Sequence, residues 1–324
     1  MSHRPPIGYD TDTPLTGAAL PTYSSAVNSE VAKKLAIYRD IYIPYPRHSE
    51  FHGRCDYLAK LGQETRGQPQ LGMRVLAPTG SGKTTAAEEF IRLLEQATPR
   101  TANFVPAIIV RLERAATARK LMVAILDEFG DDYAAHGNEM QLRQRAYACF
   151  DRLRTKLLFI DEVQHLQYRR QDQNDITDSL KGFLDGGVVP VVFLGTDDGE
   201  SLFTRNQQLS GRLLPPSDFT PLHRDRPEDR RLLAGYVRAL DEAITERGLM
   251  ERHAALDDPW IRGCLHEVSA GVIGRISRLV GHALEYAARR GACCIEVHDL
   301  AVAVDQWAIP AFIDRNPFRQ GRRP

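Results

Sequence analysis

Neither sign of charge dominates this chain: basic and acidic side chains stand at 42 each over 324 residues. A dedicated high-affinity nucleic-acid binder carries a basic excess. Any contact with phosphates must therefore come from local clusters, or from many copies aligned along a duplex. Cysteine is scarce and odd in number, with five residues, an adjacent Cys293-Cys294 and no C-x-x-C. That argues against a disulfide framework or a zinc site and for buried reduced thiols. No apolar run approaches the ~20 residues of a membrane span. The opening Met1-Ser-His-Arg-Pro-Pro has no hydrophobic core of a secretion signal, so a reducing, cytoplasmic setting is expected. Ten histidines form no H-E-x-x-H and no cluster, and no Ser/His/Asp set stands out. Internal repeats are absent as well.

What is present is an ordinary soluble composition, 43% apolar and 26% charged, enough for a large α/β domain plus a smaller one. The most informative stretch is Leu71 to Thr85. Met73 to Ala77 reads as a buried strand, and Thr84 onward reads as a helix (Ala86, Ala87, Phe90, Ile91, Leu94). Between them, Ala77-Pro-Thr-Gly-Ser-Gly-Lys-Thr84 is a phosphate-binding loop in which Ala77 replaces the usual first glycine. Gly80 and Gly82 let backbone N–H groups converge on a phosphate at the helix N-terminus. Pro78, Thr79, Ser81 and Thr85 complete the candidate nucleotide-binding residues. Lys83 is placed to neutralise the β- and γ-phosphates, and the Thr84 hydroxyl to hold Mg²⁺. In the empty loop Lys83 is expected to be exposed. The chain is thus expected to bind a nucleoside triphosphate with Mg²⁺.

In chain order, residues 1 to 28 are rich in Pro, Thr, Ser and Gly and are expected to form a flexible arm. A helix is expected over Ser29 to Tyr42, an extended stretch over Ile43-Pro-Tyr-Pro-Arg47, and a second helix over Ser49 to Gly62. Buried strands follow at Val105–Leu112, Lys156–Glu162 and Val188–Thr196, alternating with helices. That alternation predicts a doubly wound parallel sheet, a nucleotide-binding α/β domain over 29–224. From Asp225 the strand pattern stops, and residues 225–310 read as a small all-helical lid. Residues 311–324 read as a basic, mobile tail (Arg315, Arg319, Arg322, Arg323).

Asp161-Glu162, at the carboxyl end of an apolar strand, supplies the second half of such a site. Asp161 is expected to bind Mg²⁺ directly or through water. Glu162 is expected to orient or deprotonate the water that attacks the γ-phosphate. Thr196 closes the next strand and could hold that water or the γ-phosphate. Two arginines compete for the developing charge: Arg212, in Gln208-Leu-Ser-Gly-Arg212, and Arg275, at the start of a lid helix. Arg111, Arg114, Arg119 and Lys120 make a local basic cluster in an otherwise neutral chain. They are the candidate DNA-contacting residues.

Taken together these residues resemble an AAA+ ATPase, and more narrowly the transposition regulators TniB and TnsC. The resemblance runs from about Ile41 to Trp307. It rests on Ile43-Pro-Tyr-Pro-Arg47, Gly80-Ser-Gly-Lys-Thr84, Leu158-Phe-Ile-Asp-Glu-Val-Gln-His165 and Val188–Thr196. Gln208-Leu-Ser-Gly-Arg212 and Gly271-Val-Ile-Gly-Arg-Ile-Ser-Arg-Leu279 complete it. Gly211-Arg-Leu stands where Asn-Arg-Phe is commoner. The resemblance implies an AAA+ P-loop NTPase with a helical lid, with Tyr45 among the nucleotide contacts. It also implies ATP-bound subunits assembled head to tail, as a ring or helical filament on double-stranded DNA. Such an assembly presents a target to a DDE transposase, with a TniQ-like adaptor as a further partner and no membrane. Two alternatives stay open. One is an initiator-type or secretion-type AAA+ ATPase, expected to carry an appended domain for which no segment after residue 310 is seen. The other is an ATP-gated scaffold with negligible hydrolysis, against which an intact Glu162 argues.

Overall fold

Parallel strands buried on both faces need near-continuous apolar runs, and the computed structural model places five of them in one sheet in the order β2-β3-β4-β1-β5. It describes residues 22–114, 116–166 and 173–321, with side chains of 173–178 left aside. The strands are β1 (Gly72–Leu76), β2 (Ala107–Arg111), β3 (Leu157–Asp161), β4 (Val191–Gly195) and the short β5 (Leu213–Leu214). All pair in parallel; Arg111 lies opposite Asp161, and Leu76 opposite Gly195. Every residue of β3 and β4 is buried.

The helices are α1 (Ser25–Arg39), α2 (Pro46–Glu64), α3 (Lys83–Ala97), α4 (Ala118–Glu128), α5 (Glu139–Arg152) and α6 (Gln173–Asp185). There follow the short α7 (Glu200–Arg205) and α8 (Gln207–Ser210), then α9 (Pro227–Glu246), α10 (Pro259–Ser269), α11 (Ile273–Arg289) and α12 (Val297–Ala303). Side chains alternate along each strand, so the sheet divides its apolar residues between two cores. Met73, Val75, Phe159 and Leu194 pack with Phe51, Leu58 and Phe90 of α2 and α3. Ile108, Leu158, Ile160 and Phe193 pack with Leu121, Ile125, Leu142, Phe150 and Phe183 of α4, α5 and α6. This is the doubly wound sheet that the alternation of elements predicts.

By contacts the chain forms two compact units. One comprises Tyr42–Val237 with Leu265–Ser277 and carries the sheet; the other comprises residues up to Ile41, Arg238–Cys264 and Arg278–Pro324. In the second unit α1 begins at Ser25, earlier than periodicity predicts, because the Ser24 side chain caps it by accepting from Val27 N–H. The expected arm otherwise lies outside the described residues. In the first unit, helix α2 opens at Pro46 rather than Ser49. Proline at the first helical position gives up a donor that would go unused there.

The tail is a correction. Phe318 is 5% exposed and meets the Trp260 ring edge-on at 5.9 Å. Buried Asn316 donates to Ala301 O (2.8 Å) and Asp305 Oδ1 (2.6 Å), and Arg319 Nε to Asp305 Oδ2 (2.7 Å). The segment is packed through Arg319, while Arg322 and Arg323 lie outside the described residues. All five cysteines are free. Among the described residues no helix is long and apolar enough to cross a membrane.

Candidate nucleotide site

Ligands of an open α/β sheet gather beyond the carboxyl ends of its strands, and the phosphate loop, Asp161, Glu162, Thr196 and Arg275 lie there, whereas Arg212 does not. The loop from Ala77 to Gly82 leaves β1 and enters α3. Gly80 and Gly82 have φ of 86° and 90°, a region that favours glycine. At Gly82 a Cβ would also lie 2.8 Å from His48 Nε2, so the turn is closed to larger residues twice over.

Lys83 overturns the expectation of exposure. It is 7% exposed, and its ammonium donates to Ala77 O (2.7 Å), Pro78 O (3.1 Å) and Ser81 Oγ (3.2 Å). The loop's own oxygens hold the charge where phosphate oxygens could replace them. Burial lowers its pKa, while the nearby carboxylates of Asp161, Glu162 and Asp197 act in the opposite direction. Thr79 and Thr85 are exposed.

The Thr84 hydroxyl donates to Asp161 Oδ2 at 2.7 Å, which joins the two expected metal ligands, one in the first turn of α3 and the other at the end of β3. A hydroxyl and a carboxylate at one point form a hard oxygen donor set, which suits Mg²⁺. No group of three or more His, Cys, Asp or Glu able to hold a metal occurs among the described residues. Mg²⁺ commonly binds through only one or two carboxylates plus substrate phosphates, so the residues fit it.

Glu162 stands at φ 61°, ψ 39°, an uncommon left-handed conformation for a non-glycine residue. Two contacts hold it. Its N–H donates to Asp161 Oδ1 (2.8 Å), and Gln164 Nε2 donates to its Oε2. Gln164 Oε1 in turn accepts from Thr196 N–H at 3.0 Å, so one amide ties the end of β3 to that of β4. The Thr196 hydroxyl faces Asp198 Oδ2 at 3.4 Å.

Arg275 comes to the loop: Gly274 N–H donates to Gly80 O (2.9 Å), and a Cβ on Gly80 would lie 3.8 Å from Arg275 Cγ. Tyr45 and Ser81 line one cleft with Gly271 and Val272, about 10 Å³ in volume, room for a single water. Burial pushes the Tyr45 phenol up to about 12. Arg212 does not join this group. Its carbonyl accepts from Gly72 N–H at 2.9 Å, which puts it beside the first residue of β1, and its guanidinium pairs with Asp185.

The basic cluster divides. Arg111 Nε lies 3.7 Å from Asp161 Oδ2 and its Nη2 lies 3.4 Å from Glu88 Oε1. Arg119 donates to Ala135 O (2.6 Å) and Gly137 O (3.4 Å), while Arg114 and Lys120 are exposed. Sequence reasoning passed over Gln164, although it sits two residues after Glu162 in the quoted box. It also passed over His48, which is 5% exposed, stacks on Phe219 at 5.4 Å, and has an Nε2 without a hydrogen-bond partner.

Residues 33–218, more than half of the chain, match the family described as TniB: Bacterial TniB protein. No curated protein sequence matches the chain. Among solved structures, the Aeropyrum pernix ORC2 protein (ADPNP-ADP complexes) aligns with TM-score 0.57 at 13% identity, over 89% of this chain and 69% of that one. The Aeropyrum pernix ORC1 protein in complex with DNA gives 0.58 at 19%, over 82% and 66%. Drosophila ORC bound to DNA gives 0.51 at 17%, over 93% and 70%. At such identities the likeness establishes the fold alone.

Proposed function

The chain belongs to the bacterial TniB family, and from that premise we propose that it is a Mg²⁺-dependent ATPase that regulates DNA transposition. The observation that carries the reading is the meeting of Thr84 and Asp161 at 2.7 Å, with Glu162 tethered beside them by Gln164. The backbone of Gly80 to Gly82 and the Lys83 ammonium cradle the β- and γ-phosphates of ATP. Thr84 and Asp161 hold Mg²⁺, which when bound neutralises phosphate charge. Glu162 takes the proton of the attacking water as the γ-phosphate leaves ADP. Thr196 holds that water or the γ-phosphate, and Tyr45 and Arg275 close over the nucleotide. Arg212 serves a neighbouring subunit's ATP.

Family membership supports the transposition setting: a homo-oligomer, ring or filament, on double-stranded DNA, engaging a DDE transposase and a TniQ-like adaptor. The DNA complex of the ORC1 protein supports DNA as ligand. Arg114 and Lys120 are exposed as such a contact requires. The same fold likeness favours, as second reading, an initiator-type ATPase with another client.

Turnover and DNA retention of the purified chain test this. Glu162→Gln should keep MgATP and lose ~10²–10⁴-fold in hydrolysis. Lys83→Ala should lose ATP binding. With MgATP the wild type should coat duplex DNA and stimulate strand transfer by a DDE transposase. Normal hydrolysis without any effect on strand transfer would move the reading to the second client class.

A further inference from the structure

The α/β unit has a second cavity, at the end of the sheet away from the nucleotide site. It measures about 200 Å³ and is lined by Arg66, Phe104, Arg154, Thr155, Lys156 and Pro190 among others. Thr155 and Lys156 lead into β3, Phe104 precedes β2, and Pro190 immediately precedes β4. The five residues of β3 separate it from Asp161-Glu162 by roughly 15 Å, at about 3.3 Å per residue. It is therefore distinct from the phosphate loop.

Three cations face this space and little opposes them. Arg66 donates to Asp151 Oδ1 (2.6 Å) and Asp151 O (3.3 Å), so one charge is balanced. Lys156 Nζ lies 5.7 Å from the centre of the Phe104 ring, an attraction that leaves its charge in place. Arg154 pairs with no acid among the described residues and is exposed. Two positive charges remain.

A second observation, independent of charge, points the same way. Thr155 is 7% exposed, lines the cavity, and its Oγ1 is buried with no hydrogen-bond partner. Buried hydroxyls are nearly always bonded. An apolar occupant would leave this one unpaired, and a cation would be repelled. A tetrahedral oxyanion can accept from a hydroxyl, a guanidinium and an ammonium at once.

We propose that this cavity binds a phosphate group, carried either by a small phosphorylated molecule or by a nucleic-acid backbone. The hydroxyl of Thr155 and the charges of Arg154 and Lys156 are its donors. This site is separate from the nucleotide loop and does not depend on the function proposed above.

The test uses the full chain with MgADP in excess, so that the nucleotide loop is filled, and pyrophosphate as probe in calorimetry. Arg154→Gln/Lys156→Gln should weaken pyrophosphate binding more than about 10-fold, and the nearly isosteric Thr155→Val about 5-fold, because a charge-assisted bond is lost in each. Unchanged circular dichroism and MgADP affinity would show that the variants fold. A short DNA duplex then separates the sources. If the backbone is the ligand, the double variant lowers duplex affinity and flattens its salt dependence. If a small molecule is, pyrophosphate binding falls while duplex binding stays. Pyrophosphate and duplex affinities both unchanged in folded variants, or neither probe binding the wild type, would overturn the proposal.

Discussion

His48 lies beside the phosphate loop, between Tyr42, whose hydroxyl meets its Nδ1 at 3.1 Å, and Phe219. Burial, with His52 nearby, lowers its pKa to about 4 from 6.5. A depressed histidine is neutral in the folded chain and becomes protonated first in the unfolded one. Stability tied to it is thus present above pH 6.5 and is lost as pH falls toward 4. Between pH 7 and pH 5 the loss from this group is about 2 kcal/mol. Burial depresses His52 and His282 too, so the wild type should lose more than that. Urea unfolding at the two pH values should show His48→Gln with a correspondingly shallower pH dependence. An identical dependence in both proteins would show that His48 carries none of it.

At the same scale, Gln164 is a positioning residue on the function proposed above. It holds the Glu162 carboxylate by one end of its amide and Thr196 N–H by the other. Gln164→Leu keeps the bulk and removes both bonds. A displaced base costs up to about 10²-fold in rate, so kcat should drop by about 10- to 100-fold with KM for ATP nearly unchanged. A rise in KM with normal kcat would mean that Gln164 shapes binding instead.

Among the elements, β2, α4 and the segment between them carry the basic cluster, and position decides what each member does. Arg111 ends β2 directly opposite Asp161 and lies 3.7 Å from it, within reach of the proposed metal ligands. Arg119 pins the carbonyls of Ala135 and Gly137. Arg114 and Lys120 are left facing solvent. Removing those two should weaken ATP-dependent duplex binding uniformly across sequences and reduce the log–log salt slope by up to about two. A slope equal to the wild type's would take both residues out of the interface. Strands and helices here were legible because apolar runs and turn residues are local signals. Thr84 and Asp161 were legible because their spacing relative to strand ends is fixed by the fold. The burial of Lys83 was not, since it depends on carbonyls of a folded loop. Nor was the packed tail, which depends on Asp305 and on Trp260, the latter far from it in the chain.

At the scale of the whole molecule the question is which arginine, Arg212 or Arg275, would meet the charge that develops on the γ-phosphate in the proposed reaction. Arg212 cannot serve its own loop. It adjoins Gly72 at the start of β1, whereas the loop begins after Leu76, about 15 Å further along the strand. Its guanidinium pairs with Asp185 while Nε is buried without a partner, so it has donor capacity left over. In the proposed head-to-tail assembly it would act on a neighbour's ATP, which would make hydrolysis depend on assembly. Arg212→Ala should bind ATP nearly normally yet turn over slowly even with DNA, since such an arginine is worth ~10³–10⁵ in rate. Glu162→Gln should be slow for a reason confined to its own site. Mixed in equal amounts, the two variants create interfaces with an intact Glu162 on one side and an intact Arg212 on the other. About a quarter of interfaces should then be competent if subunits exchange freely and interfaces act independently. Turnover of the mixture should rise toward that fraction of wild type. A mixed assembly no more active than either variant alone would place Arg212 outside catalysis in trans and leave Arg275, beside Gly80, as the cation of the site.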